Sequence, residues 1–200
     1  MTIRSASFSS LSLAPLFASV LLSLLSVVAV AGCGGNGGDD AADAAVAVDA
    51  PVEDLEMRAE DFECIKKWDK VNLFFVTNKL GHKDAALAVA KAGRGTYPVG
   101  TVIQLVPFEA MVKRRAGFSP ASNDWEFFNI QDNADGTTTI VTRGGDASVK
   151  NRINGKPCLT CHQMADADRD LVCEKGHGCE SLGIPDNFII EAQDGDKRCK

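Results

Sequence analysis

Cys158-Leu-Thr-Cys161-His162 constrains this chain more than any other five residues in it. Two thiols three positions apart, with an imidazole directly after them, form the attachment pattern of a c-type haem. The two cysteines carry thioethers to the porphyrin in such a pattern, and the histidine presents a ring nitrogen to the iron. A thiol–disulfide redox pair is one rival reading, but that pair opens a helix early in a βαβ unit. Here the motif comes about four-fifths of the way along, with no βαβ pattern before it. Zinc is the stronger rival, because Cys173, His177 and Cys179 follow and can complete a four-ligand set.

The start of the chain speaks to compartment. Arg4 precedes a Ser/Leu-rich stretch, a short apolar run over residues 21–30, and then Val30-Ala31-Gly32-Cys33. A charged start, a short apolar core and small residues before a cut describe a secretory signal peptide over residues 1–32. The small-small-Cys ending resembles a bacterial lipobox, in which Cys33 is lipidated and anchors the protein to a membrane. Gly34, where retained lipoproteins carry Asp, points by the same resemblance to the outer membrane, and so to its periplasmic face. Residues 33–56 are mostly Gly, Ala, Asp and Val and read as a flexible tether. A single domain of residues 57–200 remains, large enough to bury a core. The formal charge is −6, and losing Arg4 with the leader makes it −7. That acidic balance argues against a nucleic-acid partner. The basic run Lys113-Arg114-Arg115 reads as a solvated strand end or loop.

Seven cysteines divide evenly once Cys33, Cys158 and Cys161 are set aside. Cys64, Cys173, Cys179 and Cys199 remain, and an oxidising compartment favours pairing them. Four cysteines allow three connectivities. Cys173 with Cys179 is favoured by closeness and by Gly176 and Gly178 between them, which leaves Cys64 with Cys199; the other pairings stay open. Apolar spacing predicts a helix over 53–67 and another over 82–92, stopped by Gly93. Strands are predicted over 71–77, 101–106, 109–114, 125–130 and 137–142, the last two flanking a hairpin loop at 132–136. A short helix follows Pro185. Strands in hairpins with flanking helices predict an α+β fold with an antiparallel sheet of four to five strands, in which 101–106, 125–130 and 137–142 pair as neighbours.

Several segments resemble the cytochrome P-460 and cytochrome c-prime-beta family. Tyr97-Pro-Val-Gly100-Thr101-Val102 is similar to its "(F/Y)-x-x-G-T-V" strand start. Glu109-Ala-Met-Val-Lys113 and Trp125-Glu-Phe127 are similar to its "E-A-x-V-K" and "W-x-F" segments. Cys158-x-x-Cys161-His162 with Asp170-Leu-Val172 looks like its terminal haem segment. The resemblance runs over about residues 64–190. It implies an antiparallel sheet carrying one covalent haem c, a proximal His162 and an open distal side. It also implies a distal carboxylate at Glu109 that assists proton transfer. One departure stands out. The enzymes of the family cross-link a strand lysine to the haem, and that position falls on Leu105, which cannot form the bond. An uncross-linked haem is therefore expected, with Leu105 lining its pocket.

Four functions follow. The first is a haem protein that binds a small ligand such as nitric oxide. The second is an oxidoreductase acting on hydroxylamine or a related small nitrogen compound. The third is an electron-transfer cytochrome with a periplasmic redox partner, and the fourth a structural zinc domain. A homodimer is among the partners expected. Met57 and Met111 are candidate sixth ligands of the iron, although methionine in apolar sequence is more often core filler. Met164 lies too close to His162 to reach the opposite face. His82 and His177 read as surface or turn residues, and Phe75 or Phe127 as lining the distal pocket.

Overall fold

The computed structural model describes residues 52–200. The leader expected over 1–32, the lipidation expected at Cys33 and the expected tether up to residue 51 lie outside the described residues. Six strands, β1 (Asp69–Val71), β2 (Phe74–Asn78), β3 (Thr101–Gln104), β4 (Glu109–Lys113), β5 (Trp125–Asp132) and β6 (Thr138–Gly144), form one sheet in sequence order. Every neighbouring pair is antiparallel. With helices α1 (Lys83–Ala92), α2 (Cys158–His162) and α3 (Asp186–Asp194), the class is α+β.

The expected four to five strands are six, because residues 71–77 are not one strand. Asn72 takes a left-handed φ of +52°, a conformation asparagine tolerates better than most residues. The chain reverses there, and Asp69–Val71 folds back on Phe74–Val76. The neighbours also differ from expectation. Strand β4 lies between β3 and β5, so residues 101–104 and 125–132 do not pair with each other.

Side chains alternate between the two sheet faces. Phe74, Val76, Ile103, Met111, Trp125 and Phe127 point to one face. Ala86 and Ala90 of α1, with Cys158 and Leu159 of α2, cover it. Phe75, Val102, Ala110, Val112, Phe128 and Ile130 point to the other, under Met57, Phe62 and Ile65. A sheet covered on both sides uses apolar residues at consecutive positions, which is why 71–77 and 125–130 lack a polar alternation.

The helix expected over 53–67 is replaced by two 3-10 turns, Ala59–Asp61 and Ile65–Lys67. Tertiary contacts override propensity here. Asp54 is drawn to the side chain of Arg114 at 3.0 Å and accepts the backbone N–H of Arg115 at 2.9 Å. The segment then runs extended enough to lay Met57, Phe62 and Ile65 into the sheet, and the folded unit begins by Asp54. Lys113 and Arg114 are buried rather than solvated. Arg114 sits between Asp54 and Glu126, and Arg143 reaches Glu126 from β6 at 2.5 Å. Charges can be buried here because each has an opposite partner.

Disulfides join Cys64 to Cys199 and Cys173 to Cys179. No helix among the described residues is long and apolar enough to cross a membrane.

Candidate functional site

Pro157 ends an extended approach, with Lys150 and Pro157 bridged, and turns the chain into α2. Positions three and four apart share one face of a helix. Cys158, Cys161 and His162 are therefore presented together, two of them within a single turn. Cys158 is buried, while Cys161 and His162 are partly exposed. These two cysteines are the free ones among the described residues. Burial, and then the nearby Glu109 charge, push the Cys158 thiol up to about 12.

His162 is held on two sides. Its ring centroid lies 5.0 Å from that of Phe127, which projects from β5. Its Nδ1 lies 2.7 Å from the Leu171 carbonyl oxygen. A carbonyl only accepts, so Nδ1 carries the proton, and the neutral ring leaves Nε2 with a free lone pair. Burial lowers the His162 pKa, and the Leu171 hydrogen bond opposes that only in part, so the ring is kept neutral. A neutral imidazole fixed through Nδ1 is the form that ligates a metal through Nε2.

Two free thiols on one helical face with such an imidazole beside them are the donor set a covalent haem requires, and the residues fit it. Zinc fits less well. Cys173 and Cys179, which a four-ligand set would need, are bonded to each other. His177 is the turn residue expected, its N–H donating to the Glu174 carbonyl at 3.0 Å, but it is buried rather than at the surface, whereas His82 is exposed and meets Glu53 at 3.0 Å. Cys64, Asp196 and Cys199 group closely enough to suggest a metal site. Their sulfurs are joined, however, and Asp196 is taken by the Ile65 N–H and the Arg198 guanidinium.

Leu105 follows the last residue of β3 and packs against the cluster that contains Cys158, Leu159 and Phe127. Glu109 opens β4. Its carboxylate accepts the Arg152 N–H at 2.5 Å and an Asn151 side-chain N–H at 3.1 Å. Asn129, its cross-strand partner, donates to the Lys150 carbonyl at 2.8 Å. The two side chains thus tie the loop that leads into α2 to the sheet. Burial raises the Glu109 carboxyl above its ordinary range, more than the Arg152 N–H and charge lower it.

Some candidates separate from the site. Met57 and Phe75 lie in the cluster on the opposite sheet face, which removes them from any site at His162; Met111 and Phe127 share the face of Cys158. Lys113, the nearest substitute for a cross-linking lysine, is committed to Asp170 at 2.8 Å and to the Asn123 carbonyl at 2.7 Å. Neither the Leu171 carbonyl nor Asn151 was legible in the sequence, since backbone acceptors and loop partners carry no motif. Comparison with protein-family models, curated proteins and solved structures finds no match to this chain.

Proposed function

We propose that residues 57–200 form a c-type haem domain of the kind found in the cytochrome P-460 and cytochrome c-prime-beta family, which binds a small neutral ligand such as nitric oxide. Cys158 and Cys161 hold the porphyrin, and His162 Nε2 ligates the iron. The observation that carries this reading is the His162 Nδ1–H bond to the Leu171 carbonyl, set beside two thiols left free while the four other described cysteines pair. A haem held there would supply an iron whose side opposite His162 takes the ligand. Leu105, apolar where the family's enzymes carry their cross-linking lysine, leaves the macrocycle unmodified and favours neutral ligands over charged ones.

Oxidation of hydroxylamine or a related nitrogen compound is the second reading. The raised Glu109 carboxyl favours it, since a carboxyl titrating nearer neutrality can hold and release a proton. Both hydrogen bonds to Glu109, from the Asn151 side chain and the Arg152 N–H, serve the loop, however, so its first role is to position that loop. In the same proposal the activity lies at the periplasmic side of a membrane, held by a lipid on Cys33; what supports this is the leader-like pattern of residues 1–32 ahead of that cysteine.

Protein matured alongside c-type haem machinery should be coloured, and it should keep its haem after denaturation because thioethers survive unfolding. Its ferrous form should bind nitric oxide, with slow or absent turnover of hydroxylamine. A colourless product with stoichiometric zinc would overturn the haem assignment. Enzyme-like hydroxylamine oxidation would shift the function to the second reading.

A further inference from the structure

We propose that the buried Lys113–Asp170 ion pair is a positioning device for the His162 ring, acting through the Asp170-Leu171 backbone. The inference deepens the haem reading and rests on it for its consequence at the iron. Lys113 closes β4 and is 6% exposed; Asp170 is likewise 6% exposed. The lysine Nζ donates to both Asp170 carboxylate oxygens, at 2.8 and 2.9 Å, and to the Asn123 carbonyl at 2.7 Å. Its three protons therefore have three acceptors. The Asp170 carboxylate also accepts the Tyr97 N–H at 2.9 Å. Trp125, fully buried under the ammonium of Lys113, donates its indole N–H to the Asp170 carbonyl at 2.7 Å.

The four of these bonds that end on Asp170 hold a backbone that would not persist alone. Asp170 and Leu171 have φ of +48° and +59° in succession. Aspartate visits that region with some ease, but leucine does not. Such strain survives only where the surroundings over-determine it. Its product is the direction of one carbonyl. With Asp170 pinned on both its carboxylate and its own carbonyl, the Leu171 oxygen meets His162 Nδ1 at 2.7 Å. The next carbonyl, of Val172, is taken by His177. Ligating histidines depend on such partners for tautomer, orientation and basicity. A lysine 49 positions from the histidine in sequence thus sets the angle of its ring.

The test uses the full chain, as Lys113→Met and, separately, Trp125→Phe. Two readings are taken: the tautomer of His162 from its ring nitrogen shifts in protein made without haem, and the iron–His162 stretching band of ferrous, haem-loaded protein, in which Nε2 on the iron keeps the proton on Nδ1. Wild type without haem should show one tautomer with the proton on Nδ1. Lys113→Met without haem should give a mixture, and with haem its stretching band should move to lower frequency as the Nδ1–H bond weakens and the donor loses basicity. Trp125→Phe should move both in the same direction by less. If Lys113→Met does not fold, Trp125→Phe decides alone. Folded variants with the wild-type tautomer without haem and the wild-type band with it would overturn the positioning role and leave the haem reading intact. Protein that takes up no haem from the maturation machinery, in which Lys113→Met still disturbs the tautomer, would uphold the positioning role and sink the haem reading.

Discussion

Glu109 shows how one side chain can serve structure and titrate abnormally at once. It accepts hydrogen bonds from residues 151 and 152, which favour its charged form, yet burial outweighs them and its pKa is raised. The folded protein therefore binds this proton more tightly than the unfolded chain, where the group titrates near 4.5. The stability it contributes is complete below that value and is lost as pH rises through the folded pKa. Subtracting the profile of Glu109→Gln removes the other carboxylates, which are common to both proteins. The advantage of wild type over Glu109→Gln should then shrink as pH climbs from about 4 towards neutrality. Urea unfolding across that range measures it, and an advantage that grows with pH would contradict the raised pKa.

The elements depend on where the chain can turn. Gly100 has a φ of +84° just before β3, and a Cβ added there would lie 2.6 Å from Leu80 Cγ. Its N–H donates to the Lys113 carbonyl at 2.8 Å, and its carbonyl accepts the Lys79 N–H at 3.0 Å, so it knits β3 to both sides. Gly100→Ala combines a disfavoured backbone with overpacking and should destabilise by about 2–4 kcal/mol. Leu80→Ala in the same chain should recover part of that if the clash contributes, as thermal unfolding of the three variants will show. Gly100 stands at the head of the strand expected over 101–106, within the Tyr97-Pro-Val-Gly100-Thr101-Val102 segment, and that start was legible. The run at 125–130 and the Asp135-Gly136 loop likewise announced the β5–β6 hairpin. The reversal at Asn72 was not legible, because nothing in Val71-Asn-Leu-Phe distinguishes a turn from a strand. Nor was the covering of the second face, where Leu55, Phe62, Ile65 and Trp68 have helical spacing but are recruited by the sheet one by one. At the site, the motif disclosed Cys158, Cys161 and His162. What holds His162 comes from Lys113 and Trp125, distant in sequence and without any pattern that links them.

At the scale of the molecule, the two ends of the domain are closed on each other. Cys64 and Cys199 are bonded across 135 positions, and the Ile65 N–H donates to Asp196 at 3.0 Å beside them. Helix α3 extends the closure: Gln193 donates to the carbonyls of Leu73 at 2.6 Å and Leu105 at 2.8 Å, and Lys66 meets Asp194 at 2.7 Å. The whole sheet and α2 lie inside that loop. The second disulfide spans only 6 positions, from Cys173 to Cys179, just after the Asp170-Leu171 backbone. Cross-linking removes more freedom from an unfolded chain the longer the loop it closes, about 5 kcal/mol for the first and about 2 kcal/mol for the second. For a domain of this size those amounts correspond to about 10–20 °C and about 4–8 °C in Tm. The double variant Cys64→Ala/Cys199→Ala should therefore melt well below Cys173→Ala/Cys179→Ala. The second variant should instead act locally, raising amide exchange around residues 166–179, where Asp166 N–H donates to the His177 carbonyl at 2.8 Å. Calorimetry orders the two proteins. If the short-loop variant melts lower, the loop holding His162, and not the closure of the ends, sets the stability of the domain.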